Sequence, residues 1–337
     1  MGANLGDRAA TLDAAVDRLG QLACTQLRLR SRWFDTRAVG GPEGQPGFLN
    51  GAAVIETKLA PEQVVRSLLD IESQFGRHRS GRWQPRELDL DLLLYDELVI
   101  SRPELTVPHP WMAVRRFVLE PAAEVAPNLL HPSTGWSVAR LLENLNTAHQ
   151  YVAVASSDNA LADRFAAELA RRANANLLCL MPGLTDAQAS GSSAREVALE
   201  SVRRWAEQLA PERWPPAAAP RGGTWVVSNR WIGESFVDAH MAQAAHAPAP
   251  HRGLMSTEGI AASWSEITSR VVMPKLILRV ERSHKSVSVG PTVPSADRAA
   301  NLAAELARPG HGPVLQLCAA DWDRAVDDGL AALAAAS

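Results

Sequence analysis

Residues 86–91 read Arg-Glu-Leu-Asp-Leu-Asp, and this alternation constrains the fold more than any other stretch of the chain. On a strand, Asp89 and Asp91 share one face while Leu88, Leu90 and Leu92 share the other. The leucines need a core behind them, and the two carboxylates then lie about 7 Å apart along one edge. Neighbouring carboxylates resist joint ionisation unless a cation lies between them. Oxygen ligands on a rigid element are what Mg²⁺ accepts, with substrate phosphates completing its shell. A half-buried edge strand with a wet face carries the same pattern, so the run by itself leaves both readings open.

The flanking sequence favours an anion. Gly76-Arg77-His78-Arg79-Ser80-Gly81-Arg82-Trp83-Gln84-Pro85-Arg86 holds four arginines in a stretch whose glycines and proline suit an irregular loop. Arginines this dense repel one another unless they are solvated or face an anion, and the guanidinium fork matches phosphate oxygens. A second cluster, Val107-Pro108-His109-Pro110-Trp111-Met112, fixes an extended path around His109 through its two prolines, and Arg115-Arg116-Phe117-Val118-Leu119 follows. A third, Gln45-Pro46-Gly47-Phe48-Leu49-Asn50, precedes a strand pattern over Ala52–Thr57. There Phe48 and Asn50 share a face, pairing a stacking ring with an amide able to read the edge of a heterocycle. An aromatic core residue beside a turn Asn fits that third cluster equally well.

Together with Gly2-Ala3-Asn4-Leu5-Gly6-Asp7-Arg8, these clusters stand in the order and spacing of the 6-hydroxymethyl-7,8-dihydropterin pyrophosphokinase family, which residues 1–146 resemble. Glu124-Val125-Ala126-Pro127 and His131-Pro132 extend the likeness. The resemblance implies a ferredoxin-like α+β domain over residues 1–147. It also implies an enzyme of folate biosynthesis that moves the β,γ-pyrophosphate of ATP onto the hydroxymethyl group of the pterin and releases AMP. Asp89 and Asp91 would hold two Mg²⁺ ions. Arg77, Arg79 and Arg86 would draw charge from the pyrophosphoryl group, with Arg86 closest to the chemistry. Trp83 would close over the site with its loop. His109 and Arg115 would contact nucleotide phosphates, and Glu72 would lie near the adenosine. Phe48 and Phe117 would sandwich the pterin, while Asn50 and Thr36 read its polar edges.

Three departures accompany the likeness. The family shows an apolar strand just ahead of the Gly-x-Asn-Leu-Gly turn, whereas this sequence starts at Met1-Gly2, so the first strand is expected to be missing through a mis-set start. Arg37 stands where Pro is common, and Gln84 where Gly is frequent.

A length of 337 residues suits two domains, and a net charge of −3 gives no support to a nucleic-acid surface. Three scattered cysteines fit a reduced, cytoplasmic setting, and no run is long and apolar enough to suggest a membrane partner. Over residues 151–337, strand patterns at Tyr151–Ala155, Asn176–Leu180, Thr224–Ser228, Lys275–Val280 and Pro313–Cys318 alternate with helical ones at Leu161–Ala173 and Trp322–Ala335. That order predicts a parallel α/β sheet, and Pro215–Pro220 and Ala245–Pro250 read as loops.

This half resembles a deoxynucleoside-kinase-type P-loop domain with a degraded phosphate loop. Ser156, Asn159 and Leu161 stand at the glycine positions, Ala162 at the lysine and Asp163 at the Mg²⁺-binding serine; Asn229-Arg230 stands for the family's Asp-Arg pair. A P-loop needs glycines so that backbone N–H groups wrap phosphate, and it needs the Lys charge. The expectation is a pseudokinase domain serving assembly, stability or ligand sensing, with homodimerisation through it as one outcome. Against an active pyrophosphokinase stands the alternative of a non-catalytic pterin- or nucleotide-binding scaffold.

Overall fold

The computed structural model describes residues 1–39, 44–76, 86–180, 194–214, 224–234, 237–238, 268–282, 298–308 and 311–337. Arg77, Arg79, Trp83 and Gln84, with both proline-rich stretches, lie outside the described residues. The chain divides into one unit of Met1–Asn146 with Ala331–Ser337 and a second of Thr147–Leu330.

The first unit begins with strand β1 (Gly2–Ala3) and helix α1 (Arg8–Gly20). Asp7 caps α1 by accepting the N–H of Ala10 at 3.1 Å, and Leu12, Ala15, Val16 and Leu19 recur at helical spacing to form its buried face. Strands β2 (Thr25–Arg30), β3 (Phe34–Thr36), β4 (Phe48–Asn50) and β5 (Ala53–Thr57) precede helix α2 (Pro61–Gln74). A hairpin of β6 (Ile100–Arg102) and β7 (Leu105–Val107) leads to helices α3 (Arg116–Val125) and α4 (Val138–Thr147), with β8 (Leu130–His131) and β9 (Trp136–Ser137) between them. The core of the unit gathers Leu12, Leu19, Val64, Leu68, Ile71, Leu88 and Leu90.

The first residues of the Gly-x-Asn-Leu-Gly run take strand pairing themselves. Gly2 and Ala3 form a strand, antiparallel to β4 with Gly2 opposite Asn50 and Ala3 opposite Leu49. On its other side Gly2 exchanges both backbone hydrogen bonds with Asp89, at 2.9 and 2.8 Å. The strand expected over 86–92 is reduced to that single bridge. Its alternation survives, because Leu88 and Leu90 are buried while Asp89 and Asp91 face a cavity.

The second unit is a five-stranded parallel sheet of β10 (Tyr151–Ala155), β11 (Asn176–Leu178), β12 (Val226–Ser228), β13 (Leu276–Glu281) and β14 (Val314–Cys318), in the order β11-β12-β10-β13-β14. Helix α5 (Asn159–Ala173) follows β10, and α6 (Ala194–Gln208), α7 (Arg298–Leu306) and α8 (Trp322–Ala336) complete the described helices. All five residues of β10 are buried, as a central parallel strand covered on both faces requires. The stretches expected to be strands from sequence coincide with these five: β10 has the expected bounds, β11, β12 and β14 are shorter by a residue or two at one end, and β13 is shifted by one residue to end at Glu281.

Candidate active site

Within the first unit a cavity of about 300 Å³ collects side chains from across the sequence. Thr36, Phe48, Asn50, Arg86, Asp89, Asp91, Arg115 and Phe117 line it, joined by Gln45, Trp111 and Val118, which sequence reading had given no role. Its parts are ordered by their chemistry.

At one end lie the carboxylates. Asp89 is fixed through its own backbone by the Gly2 bridge and receives Arg86 Nη1 on Oδ2 at 2.8 Å. Arg86 is itself clamped at the main chain: its N–H donates to Asn4 Oδ1 at 2.7 Å, and its carbonyl accepts the Asn4 N–H at 3.1 Å. Asn4 is 2 % exposed, so the Gly-Ala-Asn-Leu-Gly turn serves as the mount that aims Arg86. Between the two aspartates, Leu90 N–H donates to Glu72 Oε1 at 2.7 Å. Glu72 is fully buried on α2, so in place of the expected adenosine contact its carboxyl braces the Asp89–Asp91 run from behind.

His109 follows the cis Val107–Pro108 bond, and its backbone N–H donates to Leu93 O at 2.8 Å. Nδ1 accepts the N–H of Trp111 at 3.1 Å, which leaves Nε2 as the protonated nitrogen of a neutral ring, 4.0 Å from Asp91 Oδ1. Burial holds the His109 pKa below its ordinary value, Asp91 opposes that shift and Arg115 adds to it. The Arg115 guanidinium lies 4.9 Å from the Trp111 ring centre and 5.6 Å from that of Phe117, a cation–π arrangement that holds its charge at the cavity wall. The Met1 amino group also faces this region. Burial lowers its pKa, against the fields of Asp91, Asp89 and Glu72.

At the other end, Thr36 lies opposite Phe48, and Asn50 Nδ2 donates to Thr36 Oγ1 at 2.7 Å. Asn50 also explains Gly2, since a Cβ there would come within 2.8 Å of Asn50 Oδ1. Arg8 ties this end together, donating to Gly47 O at 2.9 Å and to Asp35 at 3.1 Å. The result is an aromatic-walled slot with a hydroxyl and an amide at its rim.

Among the described residues, no group of three or more His, Cys, Asp or Glu side chains is placed to hold a metal alone. Two partly exposed carboxylates on one cavity wall are nevertheless hard oxygen donors of the kind that share Mg²⁺ with substrate phosphates, so the residues fit that ion.

In the second unit, the loop at the expected phosphate site is occupied by its own side chains. Ser157 donates to Glu281 through Oγ at 2.6 Å, and Asp158 pairs with Arg282 at 2.7 Å. Asp163 accepts from both Arg230 Nη1 and Asn229 Nδ2 at 2.7 Å.

Comparison with known proteins bears on the first unit. The family model of 7,8-dihydro-6-hydroxymethylpterin-pyrophosphokinase matches residues 1–127. A 2-amino-4-hydroxy-6-hydroxymethyldihydropteridine pyrophosphokinase of Synechocystis is 38 % identical over 146 residues, covering 43 % of this chain and 74 % of the relative. The proteins of that name from Pseudomonas aeruginosa and Haemophilus influenzae are 42 % and 39 % identical over 132 and 134 residues, covering 39 % and 40 % of this chain and 81 % and 83 % of their own lengths. Through its first unit, the chain belongs to the 6-hydroxymethyl-7,8-dihydropterin pyrophosphokinase family.

Proposed function

We propose that the protein catalyses transfer of pyrophosphate from ATP to 6-hydroxymethyl-7,8-dihydropterin in folate biosynthesis, giving the pterin diphosphate and AMP. The observation that carries this reading is the single cavity in which an aromatic slot edged by Thr36 and Asn50 opens beside Arg86, Asp89 and Asp91. In the reaction, the hydroxymethyl oxygen forms a bond to the β-phosphorus of ATP and loses its proton to solvent, the bond from that phosphorus to the α,β-bridging oxygen breaks, and AMP departs with those electrons. Phe48 and Phe117 hold the flat ring while Asn50 and Thr36 fix its rotation, so the hydroxymethyl group meets the phosphorus in line. Asp89 and Asp91 would hold two Mg²⁺ ions, which neutralise charge on the triphosphate when bound. Arg86 then exchanges Asp89 for the transferred phosphates, and Arg115 and His109 supply donors on the nucleotide side. Arg77, Arg79 and Trp83 belong to the same proposal as the loop that covers the reacting groups.

The second unit, in this reading, is a pseudokinase-like domain: an aspartate stands at the position where phosphate chemistry needs a metal-binding hydroxyl, and Arg230 is already paired with it. Self-association through it is part of the proposal. Three free cysteines support a reducing, cytoplasmic setting, and among the described residues no helix is long and apolar enough to cross a membrane. The test is direct. Purified protein given ATP, Mg²⁺ and the hydroxymethyl pterin should form AMP, and Asp89→Ala or Asp91→Ala should abolish it. Folded wild-type protein that forms no AMP would overturn the proposal in favour of a non-catalytic binding module.

A further inference from the structure

Trp111 lines the reaction cavity, yet the proposed transfer gives it no part. Its place is set by the core. The 3₁₀ turn Met112–Val114 is buried over all its residues, and Trp111 and Arg115 stand at its two ends. The main chain here is held by hydrogen bonds: Trp111 N–H donates to His109 Nδ1 at 3.1 Å, Trp111 O accepts the Val114 N–H at 3.3 Å, and the Arg115 N–H donates to Met112 O at 3.4 Å. Both side chains therefore leave a fixed base, and both residues line the cavity.

Arg115 ends between two rings. Its guanidinium lies 4.9 Å from the ring centre of Trp111 and 5.6 Å from that of Phe117. A free arginine side chain samples many rotamers, and ordering it weakens any bond it then makes to an anion. A ring face beside the guanidinium removes that freedom in advance. The attraction acts through the face of the ring, while the N–H donors lie in the guanidinium plane and stay open to an oxyanion. Of the aromatic residues, Trp offers a cation the strongest face.

We infer that Trp111 is a positioning residue for the nucleotide: its ring holds the Arg115 guanidinium in the pose that meets the triphosphate of ATP. The inference rests on the proposed pyrophosphoryl transfer for the identity of that anion, and Trp111 acts on it through Arg115. The consequence is selective. Loss of the ring frees Arg115 and weakens nucleotide binding, but the His109 tautomer stays, since the N–H that fixes it belongs to the Trp111 main chain. The slot end keeps Thr36, Phe48, Asn50 and Phe117. A Trp that only filled space would behave otherwise, because an apolar side chain of adequate bulk could then replace it.

The test titrates the full chain, as wild type and as Trp111→Ala, Trp111→Phe and Trp111→Leu, with MgATP by calorimetry, and takes kcat and the KM of each substrate from AMP formation. Trp111→Ala should weaken MgATP binding and raise the ATP KM about five- to tenfold, with kcat and the pterin KM changed less than about twofold. Trp111→Phe should recover most of the loss, whereas Trp111→Leu, which has bulk but no π face, should not. In an Arg115→Met background, Trp111→Ala should cost little further affinity, because the cation it positions is gone. Equal MgATP binding in Trp111→Ala and wild type, recovery by Leu as complete as by Phe, or fully additive losses with Arg115→Met would overturn the inference. The same readouts separate it from the reaction: a wild type that binds MgATP without forming AMP would overturn the transfer and leave the binding series to decide on Trp111, whereas one that binds no MgATP would overturn both.

Discussion

Glu72 offers the sharpest test of how the metal-binding edge is built. Its carboxyl is fully buried, and its Oε1 accepts the Leu90 N–H at 2.7 Å, midway between Asp89 and Asp91. Glu72→Ala leaves that amide with its acceptor removed in a place where Leu90 itself is only 7 % exposed. An unsatisfied buried donor costs about 1–3 kcal/mol, and the space left by the side chain adds about 1 kcal/mol more. A loss near 3 kcal/mol corresponds to roughly a hundredfold faster exchange of the Leu90 amide. Glu72→Gln keeps a carbonyl in place and should cost about 1 kcal/mol. Hydrogen exchange at Leu90 is the assay of choice, because a two-unit chain does not give one well-defined unfolding free energy. AMP formation titrated with Mg²⁺ is the second readout, where Glu72→Ala should raise the Mg²⁺ requirement more than Glu72→Gln does. If Leu90 exchange is the same in Glu72→Ala as in the wild type, or if Gln is as damaging as Ala, the bracing argument is wrong.

Other outcomes follow from the same geometry. Asn50→Ala removes both the Thr36 contact and an amide at the slot rim, and should raise the pterin KM about tenfold, or about 1.4 kcal/mol, with a smaller change for Thr36→Val; a rise in the ATP KM instead would put Asn50 at the wrong substrate. Burial pulls the His131 pKa down to about 4, so the unfolded chain takes up a proton near pH 6.5 that the folded chain refuses until about pH 4. Stability is therefore complete above pH 6.5 and declines as pH falls towards 4, by about 3 kcal/mol from this residue. Urea midpoints between pH 7 and 4.5 should show that slope in the first unit and lose it in His131→Asn. In the second unit, Asp163→Ala strips the partner from the buried Arg230 guanidinium and should destabilise that unit by about 2 kcal/mol, with AMP formation unchanged. Separate unfolding of the two units, set beside the AMP rate, reads both effects.

How much of this was legible in the sequence depended on the range of the physics. The Asp/Leu alternation at 88–91 is a local pattern, and the structure honours it: the leucines enter the core while both aspartates line the cavity. The buried runs of the second unit were equally legible, because parallel strands covered on both faces cannot hide their apolar continuity. The braces behind the site were not. Asn4 meets Arg86 across 82 positions and Glu72 meets Leu90 across 18, each through a backbone group that every residue type carries, so no residue choice at the partner position announces the contact. Gly2 shows the same limit. Its need for glycine comes from the Asn50 amide packed against it, a constraint visible only once β1 and β4 are side by side.

The same distinction applies to β1. Two residues are too few to carry any periodicity, yet Gly2 and Ala3 hold their place through partners on both sides, Asn50 and Leu49 on one and Asp89 on the other. A central position supplies hydrogen bonds that an edge strand of equal length would lack. That position also makes β1 the link between the two ends of the site. It fixes Asp89 by its backbone and leaves room for Asn50 by its missing side chain, so the carboxylate end and the slot end are set by one two-residue element. A Gly2→Val substitution should accordingly disturb both ends at once, raising the pterin KM and the Mg²⁺ requirement together. Were only one of them to move, the two ends would be positioned independently and β1 would not be their common reference.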